Sequence, residues 1–287
     1  MPIAEPITSL QNPRVKNVVR LSNRRHRDRQ QQTVVEGVRE ATLALRSGVV
    51  PDEVFICPEY AGSVERQALD QQLYELAAGG RTRFYEVPPA VFDKMAYRAG
   101  SGGVLLVIPY LKRMLPDIVP GGNPLLVVVD GAEKPGNLGA ILRTADAAGL
   151  DALLLTADEP GGTDIHNPNV IRASLGAFFS IPVVTVTTEQ ALSWLRENGI
   201  TTVATTPDAQ QDYTAVNLAS PTAIIMGSEA AGLGRQWLDA ADIQARIPMA
   251  GWVDSLNLSV STALLLYEAL RQRNTMSTGS ASPGNGA

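Results

Sequence analysis

The sequence predicts an α/β protein of two domains. Three observations carry that expectation. Short apolar runs alternate with stretches of helical periodicity along most of the chain. A concentration of Pro116, Pro120, Gly121, Gly122 and Pro124 within residues 111–124 separates two such series. The run Leu125-Leu126-Val127-Val128-Val129 just after it is apolar throughout, as in a parallel sheet covered on both faces. At 287 residues, each half is long enough to bury its own core.

Residues 12–29 interleave apolar and basic positions, and Val15, Val18, Val19 and Leu21 mark the inner side of one basic helix. A strand is expected at 33–37, a helix at 38–47 closed by Gly48, and a strand at 53–57. Helical residues 64–78, a strand at 84–87, a helix at 89–97 and a strand at 103–108 complete the first series. In the second series Asn137 reads as an N-cap and Gly149 as the C′ residue of a helix whose buried stripe is Leu138, Ile141, Leu142, Ala145 and Ala148. Arg143 lies off that stripe. Strands follow at 152–155, 182–186, 201–204 and 223–226, with helices after Asn169 and at 189–198. The last helix, residues 258–273, is too apolar to be packed on one side only. Four segments result: 1–113, a linker at 114–123, a second domain at 124–274 and a disordered tail at 275–287.

The net charge of −5 is unevenly spread. Arg14, Lys16, Arg20, Arg24, Arg25, Arg27 and Arg29 face only Glu5 and Asp28 in the first 29 residues, which suggests a polyanion docked at that end. A solvated arginine-rich helix face is the competing explanation. Cys57 stands alone, so no disulfide framework forms within the chain, and with only His26 and His166 beside it no metal site is expected. No apolar run reaches the ~20 residues of a membrane span. The N-terminus lacks the charged-then-apolar form of a signal peptide, so a cytoplasmic location is expected.

Residues 227–232 have the spacing that opens a P-loop, but Leu233-Gly234 stands where Lys-Ser/Thr is required. The dinucleotide pattern G-x-G-x-x-G is absent. The small-residue turn at 227–232, the turn at 247–251 and the polar turn at 255–259 instead form a cradle that meets a ligand through backbone atoms.

Three blocks, in order, resemble the SpoU (TrmH) family of RNA ribose 2′-O-methyltransferases in the SPOUT superfamily. They are Pro135-Gly136-Asn137-Leu138-Gly139-Ala140-Ile141-Leu142-Arg143, then Ile225-Met226-Gly227-Ser228-Glu229-Ala230-Ala231-Gly232-Leu233, and Ile247-Pro248-Met249 with Ser255-Leu256-Asn257-Leu258-Ser259. Val170-Ile171-Arg172-Ala173-Ser174 adds a fourth. Ala230-Ala231-Gly232 stands where Gly-Glu-Gly or similar is commoner after the Glu, a departure that keeps the turn small. The first half, notably Val34-Val35-Glu36-Gly37, resembles more loosely the family's L30-like substrate-binding domain.

The resemblance implies a small L30-like domain followed by a SPOUT α/β domain with a deep C-terminal trefoil knot, a homodimer, and S-adenosyl-L-methionine as cofactor. It assigns Thr205, Gly227, Ile247, Met249 and Leu256 to that cofactor. It assigns Arg143 to activating the ribose hydroxyl, which for an always-protonated guanidinium means orienting the hydroxyl and its phosphate rather than accepting a proton. Asn137, Glu229, Ser255 and Asn257 complete the expected catalytic set, with helix capping as the alternative for Asn137, Ser255 and Asn257. Glu229 is expected to orient Arg143 or to close its loop. Arg14, Lys16, Arg24, Arg25, Arg27 and Arg172 are the expected RNA contacts. Members with the added domain are mostly rRNA enzymes, so rRNA is favoured over tRNA. A catalytically silent RNA-binding module is the rival class. The layout also resembles antibiotic-resistance rRNA methyltransferases of actinomycetes.

Overall fold

The computed structural model describes residues 4–97, 101–131, 134–157 and 163–279. Two compact units emerge: Met1–Leu111 with Asp164–Ser180, and Lys112–Thr163 with Ile181–Ala287.

The first unit opens with β1 (Glu5–Pro6), α1 (Pro13–Arg20) and α2 (Arg24–Gln30). The basic stretch is therefore two helices, not one. The Asn12 side chain accepts from Arg14 N to start α1, and the Asn23 side chain accepts from Arg25 N to start α2. There follow β2 (Gln32–Glu36), α3 (Val38–Arg46), β3 (Glu53–Ile56), α4 (Val64–Ala78), β4 (Arg83–Glu86), α5 (Pro89–Met95) and β5 (Val104–Pro109). The expected helix at 89–97 thus stops at Met95. The strands make one mixed sheet in the order β1-β4-β3-β5-β2. Val15, Val18 and Leu21 pack into its core with Phe55, Tyr85, Phe92, Leu105 and Val107.

The second unit begins with β6 (Leu125–Asp130), α6 (Pro135–Ala148) and β7 (Ala152–Thr156). The chain then returns to the first unit for α7 (Pro168–Ala173). Sequence reasoning put this segment in the second domain; in the fold its side chains pack with the first unit. Arg27 of α2 is ion-paired with Asp164. Thr33 Oγ1 donates to His166 O at 2.6 Å, and the Tyr110 and His166 rings stack with centroids 3.7 Å apart.

Back in the second unit lie β8 (Val183–Val186), α8 (Thr188–Glu197), β9 (Thr201–Thr205), β10 (Gln211–Asp212), β11 (Thr222–Met226), α9 (Arg235–Ala240), β12 (Ile243–Arg246) and α10 (Leu258–Gly279). The sheet is parallel, in the order β10-β12-β9-β11-β6-β7-β8. Leu126, Val128, Leu154 and Ile225 pack with Leu195 of α8 and Trp237 of α9. The neighbouring Val127, Val129, Leu153 and Ile224 are buried as well, as are Leu138, Ile141 and Leu142 of α6 and Leu265 and Leu266 of α10. Burial on both faces is why these strands read as unbroken apolar runs. From β6 the chain runs outward through β7 to β8, then crosses to the other side for β9–β12. The reversal falls between β6 and β11, the place where open α/β sheets bind ligands at their strands' carboxyl ends.

α10 continues to Gly279, into the segment expected to be disordered. Near its end Arg273 donates to four carbonyls, those of Asn123 (2.7 Å), Ser220 (2.8 Å), Pro124 (3.0 Å) and Leu218 (3.2 Å). Among the described residues no helix is long and apolar enough to cross a membrane.

Candidate active site

Beyond the carboxyl ends of β9, β11 and β12 lies a cavity of about 410 Å³, within the range of small-molecule sites. The loop leaving β11 forms one wall. Ser228 N donates to Gly232 O and Gly232 N to Ser228 O, both at 3.0 Å, so the loop folds back on itself. A Cβ on Gly227 would stand 2.2 Å from Gly232 C and 2.3 Å from Leu233 N. Only glycine fits there. Asp130, at the end of β6, accepts from Gly234 N at 3.1 Å and Thr156 Oγ1 at 2.8 Å, tying the loop to two strands.

A polar network closes the adjoining side. Glu229 Oε1 accepts from Asn137 Nδ2 at 2.7 Å and Asn257 Nδ2 at 2.9 Å, while Lys134 pairs with its other oxygen. Asn257 Nδ2 also lies 3.1 Å from Asn137 Oδ1. Asn257 Oδ1 accepts from Ser259 N at 3.0 Å and so starts α10. One carboxylate therefore gathers the start of α6, the β11 loop and the start of α10. The Lys134 ammonium, then the Asn137 amide, hold the Glu229 carboxyl below the usual carboxylate range.

Two properties fit the cavity to S-adenosylmethionine. Thr205 Oγ1 is buried without a hydrogen-bond partner among the described residues and belongs to a side chain lining the cavity. The charged lining residues among those described, Glu229 and Asp254, are both acidic, which suits a ligand carrying a sulfonium and an ammonium.

The profile of the SpoU rRNA Methylase family matches residues 124–267, and that of the MRM3-like substrate binding domain matches 12–106. The chain belongs to the SpoU rRNA methylase family. It is 38% identical to the 23S rRNA (guanosine-2′-O-)-methyltransferase RlmB of Pseudomonas aeruginosa, over 72% of this chain and 84% of that one. A solved RNA 2′-O ribose methyltransferase is 41% identical with a TM-score of 0.78, over 94% of this chain and 99% of the other. An AdoMet-bound rRNA methyltransferase from Sinorhizobium meliloti is 31% identical with a TM-score of 0.84, over 93% and 98%. S-adenosylmethionine is the methyl donor of this SpoU protein.

All five residues expected at the cofactor, Thr205, Gly227, Ile247, Met249 and Leu256, line the SpoU cavity, and Glu229, Ser255 and Asn257 line it too. Asn137 joins through its hydrogen bonds. It is not the N-cap: α6 starts at Pro135 after Lys134, which leaves the Asn137 side chain free for Glu229. Glu229 bonds to Lys134, Asn137 and Asn257 and makes no bond to Arg143. Arg143 is exposed on α6, outside the cavity lining, and has no hydrogen bond or ion pair among the described residues. Lys134 and Asp130 escaped sequence reasoning. Lys134 stands directly before the Pro135-Gly136-Asn137 block, so its place in the chain was the available signal.

The expected RNA contacts divide. Lys16, Arg24 and Arg25 are exposed. Arg27 is corrected: it is 1% exposed and donates to Leu21 O and Ser22 O, both at 2.8 Å, besides pairing with Asp164. Arg14 pairs with Glu53 and lies 4.8 Å from the Tyr85 ring centroid. Arg172 lies 3.7 Å over the Tyr97 ring and donates to Asn169 Oδ1 at 2.9 Å. Packing thus occupies Arg14 and Arg172 within the first unit. Among the described residues no group of three His, Cys, Asp or Glu is placed to hold a metal ion.

Proposed function

We propose that this protein methylates the ribose 2′-hydroxyl of a guanosine in large-subunit rRNA. The observation that carries the reading is the gathering of Lys134, Asn137 and Asn257 around the Glu229 carboxylate, beside a cavity with an unsatisfied Thr205 hydroxyl. The similarity to RlmB supports the substrate.

When bound, S-adenosylmethionine would supply a methyl group on a sulfonium: as the ribose oxygen takes it, the S–CH3 bond breaks, S-adenosylhomocysteine leaves and the hydroxyl proton passes to water. The chain has mainly to hold two reactants in register. Thr205, Gly227, Ile247, Met249 and Leu256 hold the cofactor, Thr205 with its free hydroxyl and the others with small or backbone-lined contacts. Glu229, charged throughout the neutral range, is a weak proton acceptor there. Its work is to lock Asn137 and Asn257, leaving Ser255 to meet the substrate at the cavity wall. Arg143, with a free guanidinium, orients the 2′-hydroxyl and the adjacent phosphate and stabilises the charge that develops on oxygen.

Arg143 reaches reacting groups in a homodimer. Val260, Leu264 and Tyr267 of α10 are exposed apolar residues lining an open groove with Thr144, the neighbour of Arg143. A second copy seated in that groove accounts for the apolar character of α10. The first unit acts as an L30-like substrate-binding domain in which Lys16, Arg24 and Arg25 contact phosphates. The second unit carries the knot; the clasp of Arg273 on four carbonyls supports a C-terminal helix threaded through its own chain. The setting is cytoplasmic.

The test is transfer of labelled methyl from S-adenosylmethionine to unmodified transcripts of 23S rRNA, 16S rRNA and tRNA. Label in 23S rRNA supports the proposal. Label confined to tRNA replaces the substrate, and RNA binding without transfer makes this a silent binding module. Mapping the methyl also decides the antibiotic-resistance expectation, which requires it to fall in a drug site.

A further inference from the structure

We propose that Trp252 is a stacking platform for a nucleobase of the RNA substrate, an inference that rests on the ribose-methylating function above. Three tryptophans occur in the chain. Trp237 is fully buried and Trp194 half-buried, whereas Trp252 is 104% exposed, both ring faces bare. Exposing an indole so completely is unfavourable unless something covers it.

Its position says what does. Trp252 stands in the loop between Met249 and the run 254–258, and residues on both sides of it line the cavity. The loop is therefore the outer lip of the methyl-donor site. A ribose brought to that site carries its base with it, and in structured RNA that nucleotide must leave its stack to be reached. A flat aromatic surface at the lip replaces the lost stacking, and every base offers a face to it.

A second copy of the chain is the competing occupant, and the surroundings favour RNA. Ala250, Gly251, Asp254 and Ser255 around Trp252 are small or polar and exposed. The apolar groove on α10, built from Val260, Ala263, Leu264 and Tyr267, does not include Trp252. Val253, 64% exposed, is the one apolar neighbour on the loop and extends the platform.

The experiment compares wild type, Trp252→Ala and Trp252→Phe on an unmodified 23S rRNA transcript. Read out are KM for RNA, kcat, the dissociation constant for S-adenosylmethionine, mass in solution, and quenching of tryptophan emission by the transcript. Trp252→Ala should raise KM for RNA roughly tenfold or more. Its mass and its affinity for S-adenosylmethionine should be unchanged, and Trp252→Phe should recover most of the loss. Wild-type emission should be quenched by RNA, and the quenching should vanish in both variants. An unchanged KM with unchanged quenching overturns the proposal. A mass that falls from dimer to monomer in Trp252→Ala also overturns it, in favour of an interface between copies. If wild type transfers no methyl, the enzyme reading fails, while binding and quenching still decide the role of Trp252.

Discussion

Arg143 carries the sharpest demand at the scale of single residues. Its guanidinium has no partner among the described residues, although a helix surface offers acids to pair with. An arginine held for substrate gains nothing from such a partner. Arg143→Ala should lower kcat by about 10²-fold or more, as loss of a donor to a developing oxyanion does, with S-adenosylmethionine affinity within twofold. Equal kcat in a labelled-methyl assay would remove Arg143 from the reaction.

Glu229 makes a different kind of demand. Lys134 and Asn137 lower its carboxyl in the folded protein. Its charge therefore contributes stability that is complete above the unfolded value of about 4.3 and is lost as pH falls through the lower folded one. The difference in melting temperature between wild type and Glu229→Gln should be flat from pH 8 to 6 and close in acid below about pH 4. A difference that titrates near neutral pH would instead make Glu229 a proton-transfer group.

At the scale of elements, α2 combines two roles. Arg24 and Arg25 face solvent, while Arg27, two residues on, is enclosed by Leu21 O, Ser22 O and Asp164. Arg27→Ala should destabilise the protein by about 3 kcal/mol or more, because it strands Asp164 and two carbonyls. Melting curves check this, and an unchanged midpoint would mean that water replaces the arginine without loss. The sequence showed seven bases but not which is buried, because the partner of Arg27 lies 137 residues away. The Asn137 amide was misread as a cap for the same reason: its true partners are 92 and 120 residues distant. By contrast, the apolar strands and the five cavity-lining positions were legible, because an apolar run or a short small-residue turn is a local property; β1, β10 and β12, which are short and carry no apolar run, were not. The transfer of residues 164–180 to the first unit was illegible; segment 170–174 has the right pattern for a helix in either unit.

The whole molecule is acidic overall, yet its first 29 residues hold seven bases against two acids, and Lys16, Arg24 and Arg25 among them are exposed. RNA affinity should fall steeply with salt, and Arg24→Gln with Arg25→Gln should flatten the slope of log affinity against log salt by about 1 to 2 without moving the melting point. An unchanged slope would assign those arginines to an ordinary solvated helix face.

The protein's product is a methyl group on ribose oxygen. Its most direct measurement is nuclease digestion of a 23S rRNA transcript treated with the protein and labelled S-adenosylmethionine, followed by mass spectrometry of the nucleosides. Label is expected in 2′-O-methylguanosine, accumulating about 10²-fold more slowly when Arg143→Ala replaces wild type. Label on a base, or none in RNA that the protein demonstrably binds, would contradict it.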